Sequence, residues 1–166
     1  AVGFEAGTAL TNSYDCTLIG YQSGRTIDSS GTTGYRHTFV GSLTGYNLDD
    51  STDNVAIGYK ALHGHASGSK TGNENVAIGN QSMEDIQTGD YNTAVGYLSL
   101  ANVTTGSKNV AIGNLAARWL DVGTDNVAIG YNALNDTGRH ANSIKNIAIG
   151  SNALDGATTE AHGASV

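Results

Sequence analysis

One five-residue phrase, Asn54-Val55-Ala56-Ile57-Gly58, returns along most of the chain, and a fixed period constrains the fold more than any other sequence signal. It recurs at 75–79 (NVAIG), 92–96 (NTAVG), 109–113 (NVAIG), 126–130 (NVAIG) and 146–150 (NIAIG). Looser copies stand at 16–20 (CTLIG) and 37–41 (HTFVG), and the chain opens on a truncated Ala1-Val2-Gly3, as a piece of a longer protein would. The motif glycines, Gly3, Gly20, Gly41, Gly58, Gly79, Gly96, Gly113, Gly130 and Gly150, are 17, 21, 17, 21, 17, 17, 17 and 20 residues apart. A unit this short, with Asn and Gly at fixed places, is one coil of a β-solenoid and not a helical repeat. The reading is all-β: a parallel β-solenoid of about nine coils. Residues 1–50 form irregular first coils, a tip or cap; 51–155 form the regular roll; 156–166 form a tail. A helix over 111–120 is the competitor, but Gly in every unit would cost a helix about 1 kcal/mol each.

Within the motif, Val and Ile alternate around a central Ala, so they share one face of a short strand. The expectation is that the β-branched face fills the coil and the bare Ala/Gly face admits a neighbouring backbone. Small residues follow three after the Gly (Ala61, Ser82, Ser99, Ala116, Ala133), then Leu62, Met83, Leu100, Ala117 or Leu134, with Gly7, Gly24 and Gly45 in the first three units. Further on, Leu10, Ile27, Leu48, Ile86, Val103 and Leu120 are placed to close the coil through a second short strand or a tight bend. Turn residues such as Thr71-Gly72-Asn73-Glu74 and Thr88-Gly89-Asp90-Tyr91 bring the chain back, with Asn, Asp and Ser supplying local side-chain hydrogen bonds. The motif asparagines should then stack about 4.8 Å apart and satisfy one another's amides.

Composition narrows the function. The 166 residues carry a net charge of −7 and no basic run, which disfavours nucleic acid and anionic membranes as partners. The single cysteine, Cys16, excludes an internal disulfide framework and reads as a buried small residue. No apolar run reaches the roughly 18 residues of a membrane span, and no signal peptide is visible.

The motif residues Asn54, Gly58, Asn75, Gly79, Asn92, Gly96, Asn109, Gly113, Asn126, Gly130, Asn146 and Gly150 carry a resemblance. The chain resembles the YadA-like head repeats of trimeric autotransporter adhesins. It is still more similar to the "NTAVGYxAL" repeats of phage tail fibres and tailspikes. The match is good over 53–154 and poor before residue 50, where Leu18 and Phe39 replace the motif Ala. The resemblance implies a left-handed β-roll, a homotrimer with three stacks around a threefold axis, and a role in attachment. The expected function is host-cell attachment by a virion tail fibre or tailspike that binds surface glycans. The alternatives are the head of an adhesin on a bacterial surface, a purely structural spacer, and a polysaccharide depolymerase. The 158–166 segment would fit a cut from a C-terminal folding chaperone, as in fibres of this kind.

No phosphate loop, nucleophile elbow, zinc-protease helix or calcium nonapeptide is present, and outward Thr arrays of the ice-binding kind are missing. The periodic glycines read as turn formers. The expectation is a non-enzyme without cofactor or metal site: Asp49/Asp50/Asp53 and Asp121/Asp125 read as solvated turn acids, and nothing selects a carboxylate pair for glycoside cleavage. Specificity should lie where units differ. The insertions at 25–36, 63–70 and 136–143 offer Tyr35, Arg36, His63, His65, Arg139 and His140; His63 and His65 read as exposed loop residues, one or both able to touch a ligand, with a three-His metal site on a trimer axis as the rarer alternative. The only tryptophan, Trp119, follows Arg118 in an otherwise regular unit. Together these are the candidate ligand-binding residues for a surface carbohydrate or protein receptor. Tyr21, Tyr59, Tyr97 and Tyr131, each directly after a motif Gly, read as packing residues.

Overall fold

Each motif forms a strand only three residues long, and stacking is what makes such short pieces stable. The computed structural model describes residues 1–10, 13–27, 35–66, 70–135 and 143–155. Its strands are β1 (Thr17–Ile19), β2 (Thr38–Val40), β3 (Val55–Ile57), β4 (Val76–Ile78), β5 (Thr93–Val95), β6 (Val110–Ile112), β7 (Val127–Ile129) and β8 (Ile147–Ile149). They pair in parallel and in chain order, β1 to β8, in one eight-stranded sheet. The register puts like on like: Val55, Ala56 and Ile57 lie on Val76, Ala77 and Ile78. Val2 extends the stack by a parallel bridge to Ile19. The result is an all-β solenoid of about seven turns, with no helix among the described residues. Among the described residues the rest of the coil is turns and bends, with no second strand beyond isolated parallel bridges such as Tyr14 to Tyr35 and Tyr35 to Thr52.

The strand faces are the reverse of the expectation. The central residues, Ala56, Ala77, Ala94, Ala111, Ala128 and Ala148, are fully buried in the coil. The flanking Val and Ile point outward; Ile57, Ile112 and Ile149 are 40%, 41% and 54% exposed. The reason is the width of the coil. Leu62, Met83, Leu100 and Leu134 reach in from the bend and Ile86, Val103 and Leu120 from the far side, leaving room for little more than a methyl at the strand. The backbone that approaches closely is the next coil of the same chain: a Cβ on Gly96 would lie 2.4 Å from the Gly113 carbonyl oxygen.

The first coils solve the same volume problem with the large residue moved. Leu18 and Phe39 occupy the strand centre and are buried, and the bend position opposite them is Gly24 and Gly45. A Cβ on Gly45 would meet the Phe39 ring at 2.2 Å, and one on Gly24 would meet Leu18 at 2.9 Å. Large-on-strand with Gly-on-bend therefore replaces Ala-on-strand with Leu-on-bend.

The asparagine ladder forms as expected. Asn92 Oδ1 accepts from the Asn109 amide N–H and side-chain Nδ2, each at 3.0 Å, and Asn109, Asn126 and Asn146 repeat the arrangement. Nδ2 of Asn54, Asn75, Asn92 and Asn109 also donates to the carbonyls of Gly72, Gly89, Gly106 and Gly123. The other turn polar residues do not act locally but bind the coil before: Asn73 Oδ1 accepts from Thr52 N, Asp90 Oδ1 from Asn73 N, and Ser107 Oγ from Asp90 N. His37 takes the ladder place of Asn, fully buried against Phe39. Cys16, in the same column, is half-buried.

Candidate functional site

In the regular coils after Gly79, Gly96 and Gly113, the sixth and eighth residues flank the buried closing residue and turn away from it, as alternation requires. In three successive coils the sixth residues are Asp85, Asn102 and Trp119, and in two of them the eighth are Thr104 and Asp121. Backbone bonds stack them: Asp85 N donates to Ala101 O, Asn102 N to Arg118 O and Thr104 N to Asp121 O, at 2.9–3.0 Å. Between the two columns lies a groove of about 200 Å³ lined by His65, Asp85, Asn102, Thr104, Trp119 and Asp121. Ile86, Val103 and Leu120, which alternate with the lining residues along the chain, are buried in the core and anchor the segments that carry the lining.

The polar groups of the groove are held in place. The Thr104 hydroxyl donates to Asp121 Oδ1, and Asn102 Nδ2 donates to the Arg118 carbonyl at 3.0 Å. The Arg118 guanidinium stacks on the Trp119 ring, 4.6 Å from its centroid. Its Nε is buried without a hydrogen-bond partner among the described residues. Burial pushes the Asp85 carboxyl above its ordinary pKa, with the neighbouring Glu84 charge acting the same way.

Of the candidates named from the sequence, the groove gathers Trp119 and His65, with Arg118 behind the ring. The others lie elsewhere. Tyr35 packs on Tyr14, centroids 4.6 Å apart, and Arg36 forms a two-pronged pair with Asp53. That pair holds the Asp53 carboxyl below and the Arg36 guanidinium above their usual values. His63 stacks on Tyr46 at 5.2 Å, where Arg25 also donates to the Tyr46 hydroxyl; burial lowers the His63 pKa. Arg139 and His140 fall outside the described residues, as do parts of all three insertions. The sequence reading passes over Asp85, Asn102 and Thr104 and takes Asp121 for a solvated turn acid, although the coil alignment puts Asp85 and Asn102 in one column with Trp119.

Comparison with protein-family models, with curated proteins and with solved structures finds no match. Among the described residues no group of three or more His, Cys, Asp and Glu is placed to hold a metal ion.

A second surface feature is larger. The outward Val and Ile of eight strands form a continuous apolar stripe, bordered by exposed Tyr21, Tyr59, Tyr97 and Tyr131.

Proposed function

We propose that this chain is a segment of a rigid fibre, of the tail-fibre or tailspike kind on a virion, that attaches to a host cell by binding surface glycans. The observation that carries the reading is the Trp119 groove: an aromatic ring and several hydrogen-bonded polar groups side by side on three stacked coils. At about 200 Å³ it is smaller than the roughly 300–1,000 Å³ of a pocket that swallows a whole ligand. It suits one unit of a longer chain, and several such grooves on one fibre would gain affinity through avidity. The test is binding to candidate host cells or a glycan array. Trp119→Ala, with assembly intact, is expected to abolish binding; unchanged binding would leave the segment a spacer. The repeat phrase is shared with adhesin heads, which supports a bacterial surface adhesin as the second reading.

Self-association belongs to the same proposal. Three left-handed stacks of about nine coils, side by side, would bury the Val/Ile stripe. Ile112→Glu, placed on that stripe and outside the core, is expected to convert the assembly to monomer without unfolding the coil. Mass in solution checks this, and a wild-type monomer would overturn it.

A further inference from the structure

We infer that the Trp119 groove selects its sugar by charge, taking a neutral or amino-bearing unit and turning away carboxylated or sulfated ones. This rests on the glycan-binding reading of the groove. The Asn102 amide N–H donates to the Arg118 carbonyl, and the Thr104 hydroxyl donates to Asp121. What these two pairs leave over is three acceptor groups, the second Asp121 oxygen, the Asn102 Oδ1 and the Asp85 carboxylate, two of them acidic, against two neutral donors, the second Asn102 N–H and the Trp119 indole N–H. The nearest guanidinium, Arg118, lies on the Trp119 ring and not among the lining side chains.

A groove rich in acceptors reads donors. Sugar hydroxyls and an ammonium group supply them; a carboxylate or sulfate cannot, and meets two acidic side chains besides. Asp85 is half-buried, and its raised pKa reports that its charge is short of solvation, which a donor from the ligand would supply. The net charge of −7 extends the repulsion of anions beyond the groove. The indole gives the apolar face of a pyranose its stacking surface, so the two requirements, stacking and donation, converge on an uncharged or cationic sugar.

The full chain on an array of neutral, amino, carboxylated and sulfated glycans tests this, followed by titration of the best ligand of each class. Trp119 is the sole tryptophan, so its fluorescence reports on this groove alone. Neutral or amino glycans are expected to shift the emission with affinities at least about tenfold above those of acidic ones, the effect of one unfavourable charge contact. Asp85→Asn with Asp121→Asn keeps the acceptor oxygens and is expected to close that gap. An acidic glycan that binds as tightly as the best neutral one overturns charge selection and leaves glycan binding standing. An emission unmoved by every class overturns both.

Discussion

Phe39→Ala is expected to lower the unfolding free energy by about 3–5 kcal/mol, the cost of emptying a large core site that its surroundings cannot fill. Phe39 is fully buried and stands opposite Gly45, so truncation leaves neither a strand side chain nor a bend side chain at that level of the coil. Gly45→Leu alone should also destabilise, because its Cβ would fall 2.2 Å from the Phe39 ring. The two changes together recreate the arrangement of the next coil, where Ala56 lies on the strand and Leu62 reaches in from the bend. The backbone is ready for it: φ is 56° at Gly45 and 51° at Leu62, so the fold already holds Leu in the left-handed region. The double variant should return to within about 1.5 kcal/mol of the original. A denaturation cycle at one protein concentration measures the coupling. Additive losses in the double variant would refute the exchange of volume.

Stability should also fall by about 3 kcal/mol as the pH drops from 6.5 to 4, owing to His37. Its Nε2 lies 3.0 Å from the Ser51 carbonyl and must donate, so Nδ1 carries the lone pair that accepts from the Asn54 amide at 3.3 Å. A proton on Nδ1 would face that N–H, and burial already opposes the charge; the pKa is lowered from 6.5 to about 4, with burial the largest cause. The unfolded chain takes up a proton below pH 6.5 that the folded chain refuses until about pH 4. The stabilisation is therefore complete above 6.5 and is lost through that window. His63, also lowered by burial, acts in the same direction, and Asp85, raised, in the opposite one. His37→Asn isolates the histidine's share: an amide can accept from Asn54 and donate to Ser51 without titrating. Urea unfolding at pH 7 and pH 4.5 should show a smaller difference for the variant. An equal difference would exclude His37 as the source.

The coil and its ladder were legible in the sequence because they repeat. Period two placed Val and Ile together, period 17 placed Asn over Asn, and the closing residues Ile86, Val103 and Leu120 fell at one offset. Which strand face turns inward was not legible from alternation, which groups residues without orienting them. The answer lay in volume: Leu62 or Met83 on the bend leaves only a methyl's space at Ala56 or Ala77. The pairing of Phe39 with Gly45 and Leu18 with Gly24 was written in the same alignment as a compensation between columns. Trp119 stood out as unique, but its groove is made by neighbours 17 and 34 residues earlier, so it appears only when columns rather than segments are read. His65 reaches it by backbone pairing of its insertion to Ile86.

The amide ladder has a mechanical meaning. The hydrogen bonds between coils run along the stacking axis, so a pull along that axis loads the coil interfaces one after another, and the weakest sets the strength of the whole. From Asn54 to Asn146 each interface is reinforced by an asparagine side chain. Between β1 and β2 that reinforcement changes: the column holds Cys16, whose thiol is a weak partner, beside backbone bonds such as Thr17 N to His37 O and the Ser23–Thr44 hydroxyl pair. There the coils are tied instead by side chains outside the column, the Arg25 guanidinium on the Tyr46 hydroxyl and Tyr14 on Tyr35, so the load passes from the strand side of the coil to its bends.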